Sequence, residues 1–128
     1  MEKYRKTEIL QIVEEEGVEF IRLQFTDMFG TLKNVAVPVS CLEKAMDDRC
    51  TIDLASLNGF AKEEETELYL KPDFSTFTIL PWRPQNGKVA RFLCDVCTED
   101  EREYELSPRL ILKRALEKAE KQGYTLEV

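Results

Sequence analysis

The sequence predicts an α+β fold, on three observations. Segments with period-2 alternation of apolar and polar residues outnumber those with helical period. The short central helix signal is flanked by strands on both sides, rather than strands and helices alternating throughout. At 128 residues and 43 % apolar content, the chain is large enough for one ordinary domain with a real core. Strands around a short central helix suggest a small domain such as a β-grasp.

The elements follow in order. Thr7 can cap a helix over "EILQIVEEEG", with Ile9, Ile12 and Val13 on one face and Gly17 as the stop. In "VEFIRLQFT", Ile21, Leu23 and Phe25 alternate with Arg22 and Gln24, which reads as a half-buried strand. "DMFG" is a turn signal, and "TLKNVAVPV" completes a β-hairpin. Ser40 and Glu43 form a capping-box pair ahead of a short helix over "CLEKAMDD". "RCTIDLASLNGF" has no clear period and reads as a loop. "ELYLKPD" and "TFTILPW" read as short strands broken by Pro72 and Pro81. "NG" at 86–87 is a turn, "KVARFLCDV" a strand and "TEDEREYE" a polar break. Ser107 as N-cap and Pro108 at the first helical position start a helix. Its apolar face carries Leu112, Leu116 and Ala119, and Gly123 ends it. "YTLEV" begins one more strand, so the chain is expected to be a fragment cut just inside a second domain.

Composition narrows the function. A net charge of −7 disfavours nucleic acid, which needs a concentrated basic surface. The longest apolar stretch, Val35–Val39, is interrupted by Pro38 and leaves no room for a membrane span or signal peptide. A cytoplasmic location is expected. With no histidine, a Ser-His or Cys-His nucleophile pair within the chain is excluded. Cys94 and Cys97 have CxxC spacing but lie in a strand, where residues three apart point to opposite faces. They read as core residues rather than metal or redox ligands. The acidic run "KEEETE" at 62–67 reads as a solvated face, and Trp82 as a packing or interface aromatic. Asp53 stands among small and apolar residues in "TIDLASLNGF", as either a turn cap or a working carboxylate.

"VEFIRLQFTDMFGTLKNVAVPVSCLEKAM", then "ELYLKPD", "LPW" and "GKVARFLCDV", and finally "SPRLILKRALEKAEKQGYTLEV", together resemble the opening of a bacterial type I glutamine synthetase. The likeness covers essentially the whole chain, and its specificity lies in the ordered set. It implies a β-grasp domain over 1–103, followed by the first helix and strand of a truncated catalytic domain over 104–128. The family joins ammonia to glutamate through a γ-phosphorylated glutamate, using ATP and Mg2+ or Mn2+. Its active sites lie between neighbouring subunits of a stacked-ring homo-oligomer. The family's metal and nucleotide residues lie beyond this stretch, so none is expected here and the fragment alone is expected to be inactive.

The family's Asp-Gly-Ser-Ser loop corresponds to "DLAS" at 53–56. The resemblance therefore implies that Asp53 handles the ammonium ion in the neighbour's site, with Ser56 in support. Leu54 and Ala55 replace the glycine and first serine. Lys62 falls where many members carry an arginine associated with sensing glutamine, but it lacks arginine's bidentate fork. A carboxylate suits this work because it can hold and orient a small cation. Two alternatives are a related ligase for another amine, since the altered loop faces the amine, and a non-catalytic regulatory or interaction module.

Overall fold

The computed structural model describes residues 5–27, 29–47, 50–53, 67–81, 87–98, 104–105 and 107–127, with the backbone alone at 52, 53 and 67. The elements are α1 (Lys6–Glu16), β1 (Val18–Thr26), β2 (Leu32–Pro38), a 3-10 turn (Val39–Cys41), α2 (Leu42–Met46), β3 (Cys50–Asp53), β4 (Glu67–Ile79), β5 (Lys88–Cys97) and α3 (Pro108–Lys121). The five strands form one mixed sheet in the order β2-β1-β5-β4-β3. β1 and β5 run parallel at its centre, and every other neighbouring pair is antiparallel. The α+β class expected from the sequence is the class observed.

Helix α1 begins one position earlier than its expected cap. Ile9 N donates to Arg5 O, so Arg5 is the N-cap and Thr7 lies inside the first turn, with no side-chain cap present. Ile9 and Val13 are buried, and Gly17 stops the helix at φ 66, where a residue with a Cβ would be strained. The hairpin turn is built on Asp27, whose carboxylate is buried. It accepts from Phe29 N at 3.0 Å and Thr31 N at 2.9 Å, while Asp27 N donates to Thr31 O at 3.1 Å. This is a side-chain mimic of a backbone turn.

Three further expectations need correction. Ser40 does not cap α2. It lies in the 3-10 turn, whose own bond from Leu42 N to Val39 O satisfies the helix start, and Cys41 takes the cap position. The stretch read as a loop from Arg49 begins instead with an edge strand, in which Cys50–Asp53 pair with Leu70–Glu67. The two strands read on either side of Pro72 are one strand, β4. Pro72 is tolerated because it lies past Leu70, the last residue of β4 paired with β3, so its missing N–H removes no bond on that side. The interruption comes later, between Asp73 and Thr78, where four residues of β4 bulge opposite Phe92. There Asp73 Oδ1 accepts from Ser75 N and Oγ, and Thr76 Oγ1 accepts from Leu93 N at 2.8 Å. Trp82 and Asn86 lie outside the described residues; Gly87 has φ 88.

One face of the sheet carries the core. Ile21, Leu23 and Phe25 of β1, Leu68 and Leu70 of β4, and Ala90, Phe92, Cys94 and Val96 of β5 pack with Ile9 and Val13 of α1 and Leu42, Ala45 and Met46 of α2. Phe92 stands at its centre, with the Phe77 and Phe74 rings at 5.3 and 6.1 Å. The polar break contributes one core residue, Tyr104, which is fully buried and tied to β5 by Tyr104 N donating to Val96 O. Ser107 and Pro108 start α3 as expected, although the serine hydroxyl makes no cap bond. The expected apolar face of α3 is not covered, since Leu112 and Leu116 are exposed and Leu110 alone is buried. Gly123 follows the helix at φ 88. Residues 124–127 join no strand, and no described strand pairs with them.

Phe92 has no exposed surface and two aromatic partners, so truncation leaves a cavity that the sheet cannot close. Phe92→Ala is expected to lower the unfolding free energy by about 3–5 kcal/mol in urea titrations.

Candidate functional site

Asp53 is the last residue of the edge strand β3, and its backbone pairs with Glu67, the first residue of β4. That rung is where the sequence leaves β3 and where β4 begins. Ser56 and Lys62, and the acidic run apart from the Glu67 backbone, lie outside the described residues. Of the three candidate site residues, Asp53 is therefore the one whose backbone position is given. Neither a turn cap nor a loop describes that backbone: it is a strand terminus.

The cysteines take different environments. Cys94 and Cys97 are buried, while Cys41 and Cys50 are partly exposed. Burial pushes the Cys94 thiol far above its ordinary value, with Cys50 and Asp95 adding to the effect. Burial raises Cys50 as well. A thiol held protonated is a poor nucleophile and a poor metal ligand. Among the described residues, no three His, Cys, Asp or Glu side chains are grouped to hold a metal ion.

Among the described residues, a cluster of charges lies on the face of the sheet opposite the core. Asp95 alternates with the buried Cys94 and Val96, so it points to that face. Arg109 of α3 donates from Nε to Asp95 Oδ1 at 2.9 Å and from Nη2 to Asp73 Oδ2 at 2.5 Å. Lys113, one helical turn on, donates to Asp95 Oδ1 and Oδ2 at 2.8 and 2.9 Å. Burial opposes the charged form of Asp73 and is the largest single influence on it. Hydrogen bonds from Ser75 and the charges of Arg109 and Lys113 together outweigh that effect and hold its carboxyl below the ordinary value. The only sequence hint was the Arg109–Lys113 spacing, which puts two cations on one helix face.

A mixed sheet with a central parallel pair, helices α1 and α2 on its core face and a short edge strand whose last residue is Asp53 defines a β-grasp module. Residues 17–99 match the family model described as glutamine synthetase, beta-Grasp domain, and the chain belongs to that family. It is 52 % identical over its whole length to a glutamine synthetase of Clostridium saccharobutylicum, of which it spans 29 %. It is 48 % identical over 95 % of its length to a glutamine synthetase of Staphylococcus epidermidis, of which it spans 27 %. The chain therefore corresponds to less than a third of the length of these relatives. Among solved structures, it resembles Plasmodium falciparum glutamine synthetase in fold, with a TM-score of 0.81, 20 % identity and coverage of 96 % of this chain and 24 % of that one. It also resembles a GmaS/ADP complex, with a TM-score of 0.78, 25 % identity and coverage of 91 % and 26 %. No described helix is long and apolar enough to cross a membrane.

Two predictions follow from these environments. With its native carboxyl value depressed, Asp73 stabilises the fold above the unfolded value of 3.8, and this stabilisation is lost as pH falls through the lower native value. In urea titrations between about pH 5 and about pH 2, wild type is expected to lose its advantage over Asp73→Asn, the two converging at the acid end. In the native state, a thiol reagent is expected to modify Cys41 and Cys50 first. Cys94 and Cys97 should react only under unfolding conditions, as read by mass spectrometry of the labelled peptides.

Proposed function

We propose that this chain is the N-terminal part of a cytoplasmic glutamate–ammonia ligase, and that it delivers Asp53 to an active site completed by a neighbouring subunit of a stacked-ring homo-oligomer. Residues 1–103 are the β-grasp domain and 104–128 open the catalytic domain. The observation that carries this is the position of Asp53 at the end of an edge strand. An edge has a neighbour on one side only, so chain can leave it toward another molecule without cutting through the core. The named relatives, all glutamine synthetases matched along nearly the whole of this chain, support the reaction class.

In that role the Asp53 carboxylate binds ammonium and orients it toward an acyl phosphate on glutamate. An unperturbed aspartate, with a pKa of about 3.9, is a weak base toward ammonium. Its main contribution is therefore to concentrate and orient the cation, with proton loss aided by closure of the site. Ser56 supplies a further hydrogen-bond acceptor, and Lys62 contacts a carboxylate ligand as a point charge. ATP and Mg2+ or Mn2+ belong to the remainder of the enzyme. Among the described residues, no cluster fits a metal ion. The 128-residue chain alone does not catalyse the reaction.

The replacement of a Gly-Ser pair by Leu54-Ala55 beside the amine site keeps open a second reading, a ligase for another amine. In the full-length protein, Asp53→Asn is expected to lower kcat/KM for ammonium by about 10²-fold while circular dichroism stays unchanged. Unchanged ammonium kinetics would remove Asp53 from the mechanism. Preference for a bulky amine in competition with ammonia would assign the second reading. No turnover with any amine would leave a non-catalytic interaction module.

A further inference from the structure

Helix α3 is fastened to the sheet by charge rather than by apolar burial. Of its 14 residues, Leu110 alone is buried. Ile111, Leu112 and Leu116 are exposed, and a groove lined by Leu32, Leu93, Pro108 and Leu112 runs between the helix and the sheet. Across that loose contact, the Arg109 guanidinium bridges two strands at once, reaching Asp73 on β4 and Asp95 on β5. The three side chains are 20–25 % exposed, so the pairs are only partly screened by water. Lys113 holds Asp95 a second time. The other oxygen of Asp73 is engaged by Ser75 inside the β4 bulge, which makes the bulge a rigid anchor for the helix.

We propose that Arg109 is a positioning residue. Its fork fixes the angle at which α3 leaves the sheet. In the longer protein it thereby fixes the placement of the Asp53 end of the sheet relative to the chain that follows α3. The geometric half stands on the contacts above, whereas the functional half rests on the ammonia assignment made for Asp53. The fork suits this place because its planar donors meet Asp73 and Asp95 in fixed directions, whereas an ammonium offers three freely rotating donors on a point charge. The matching of this chain to the N-terminal part of relatives more than three times its length makes that angle consequential.

The test compares full-length wild type, Arg109→Met, Arg109→Lys and Asp53→Asn. Hydrogen exchange is expected to quicken roughly tenfold across 109–121 in Arg109→Met, with β1 and β5 unchanged and Arg109→Lys intermediate. KM for ammonium is expected to rise about fivefold in Arg109→Met, with KM for ATP within about twofold of wild type and partial rescue in Arg109→Lys. Wild-type α3 exchange in Arg109→Met overturns the proposal outright. Faster exchange with an unaltered KM for ammonium, while Asp53→Asn is impaired, overturns its functional half. An unimpaired Asp53→Asn overturns the ammonia assignment and the functional half with it, and α3 exchange still decides the clamp. If Arg109→Met does not fold, Arg109→Lys decides on the same readouts, and exchange equal to wild type overturns the clamp.

Discussion

The parallel pairing of β1 with β5 is the constraint on which the rest of the molecule depends. Val18 to Gln24 lie beside Lys88 to Leu93, with Val18 and Lys88 paired across 70 positions of sequence. Parallel neighbours cannot be joined by a tight turn, so the chain between them must go around. Here it builds β2, α2, β3 and β4 on the way. The two central strands then carry several fully buried side chains, with Ile21 beside Ala90 and Leu23 beside Phe92. The helices α1 and α2 can cover the core only after this register is set. A one-residue slip would send Leu23 and Phe92 to the opposite face and bring Arg22 and Arg91 into the core.

The two faces of the sheet are held by different forces. On the core face, apolar burial is non-directional and tolerant of small shifts. On the other face, α3 is held by carboxylates and a guanidinium, which are directional and costly to desolvate. Such a network adds little net stability; on the proposed reading its contribution is to favour one helix orientation over others. Asp73 joins the two regimes. One of its oxygens organises the bulge whose Phe74 and Phe77 pack on Phe92, and the other grips α3. Movement of the helix and disturbance of the bulge are thereby linked through a single side chain.

Elements with a long, clean period were legible in the sequence: α1, the β1–β2 hairpin, β5 and α3. The edge strand β3 was not, because four residues are too few to display alternation. The continuity of β4 through Pro72 is not visible locally, because the effect of a proline depends on whether a neighbour needs the missing N–H, which is a tertiary fact. Thr7 and Ser40 had the chemistry of caps, but α1 starts at Lys6, which places Thr7 inside its first turn, and the 3-10 turn takes up Ser40 ahead of α2. Tyr104 was hidden inside a polar run. The clamp was illegible because Asp73, Asp95 and Arg109 meet only once the strands have paired. Asp53 became a candidate through the ordered resemblance, not through any local pattern.

The position of Asp53 also bears on the altered loop that follows it. A leucine in place of glycine would strain any backbone that needs positive φ at position 54. Had Asp53 itself been a turn residue, that strain would fall on the carboxylate-bearing position directly. It is instead the terminal member of a β-ladder, paired with Glu67 and backed by a 13-residue strand anchored to β5. Its backbone is fixed by β4, independently of what comes next. The change from Gly-Ser to Leu54-Ala55 therefore falls on positions after the ladder, not on the backbone of the aspartate. On the proposed reading, ammonium capture by Asp53 depends on the sheet edge and the choice of amine on the residues that follow it, so the two are separable properties.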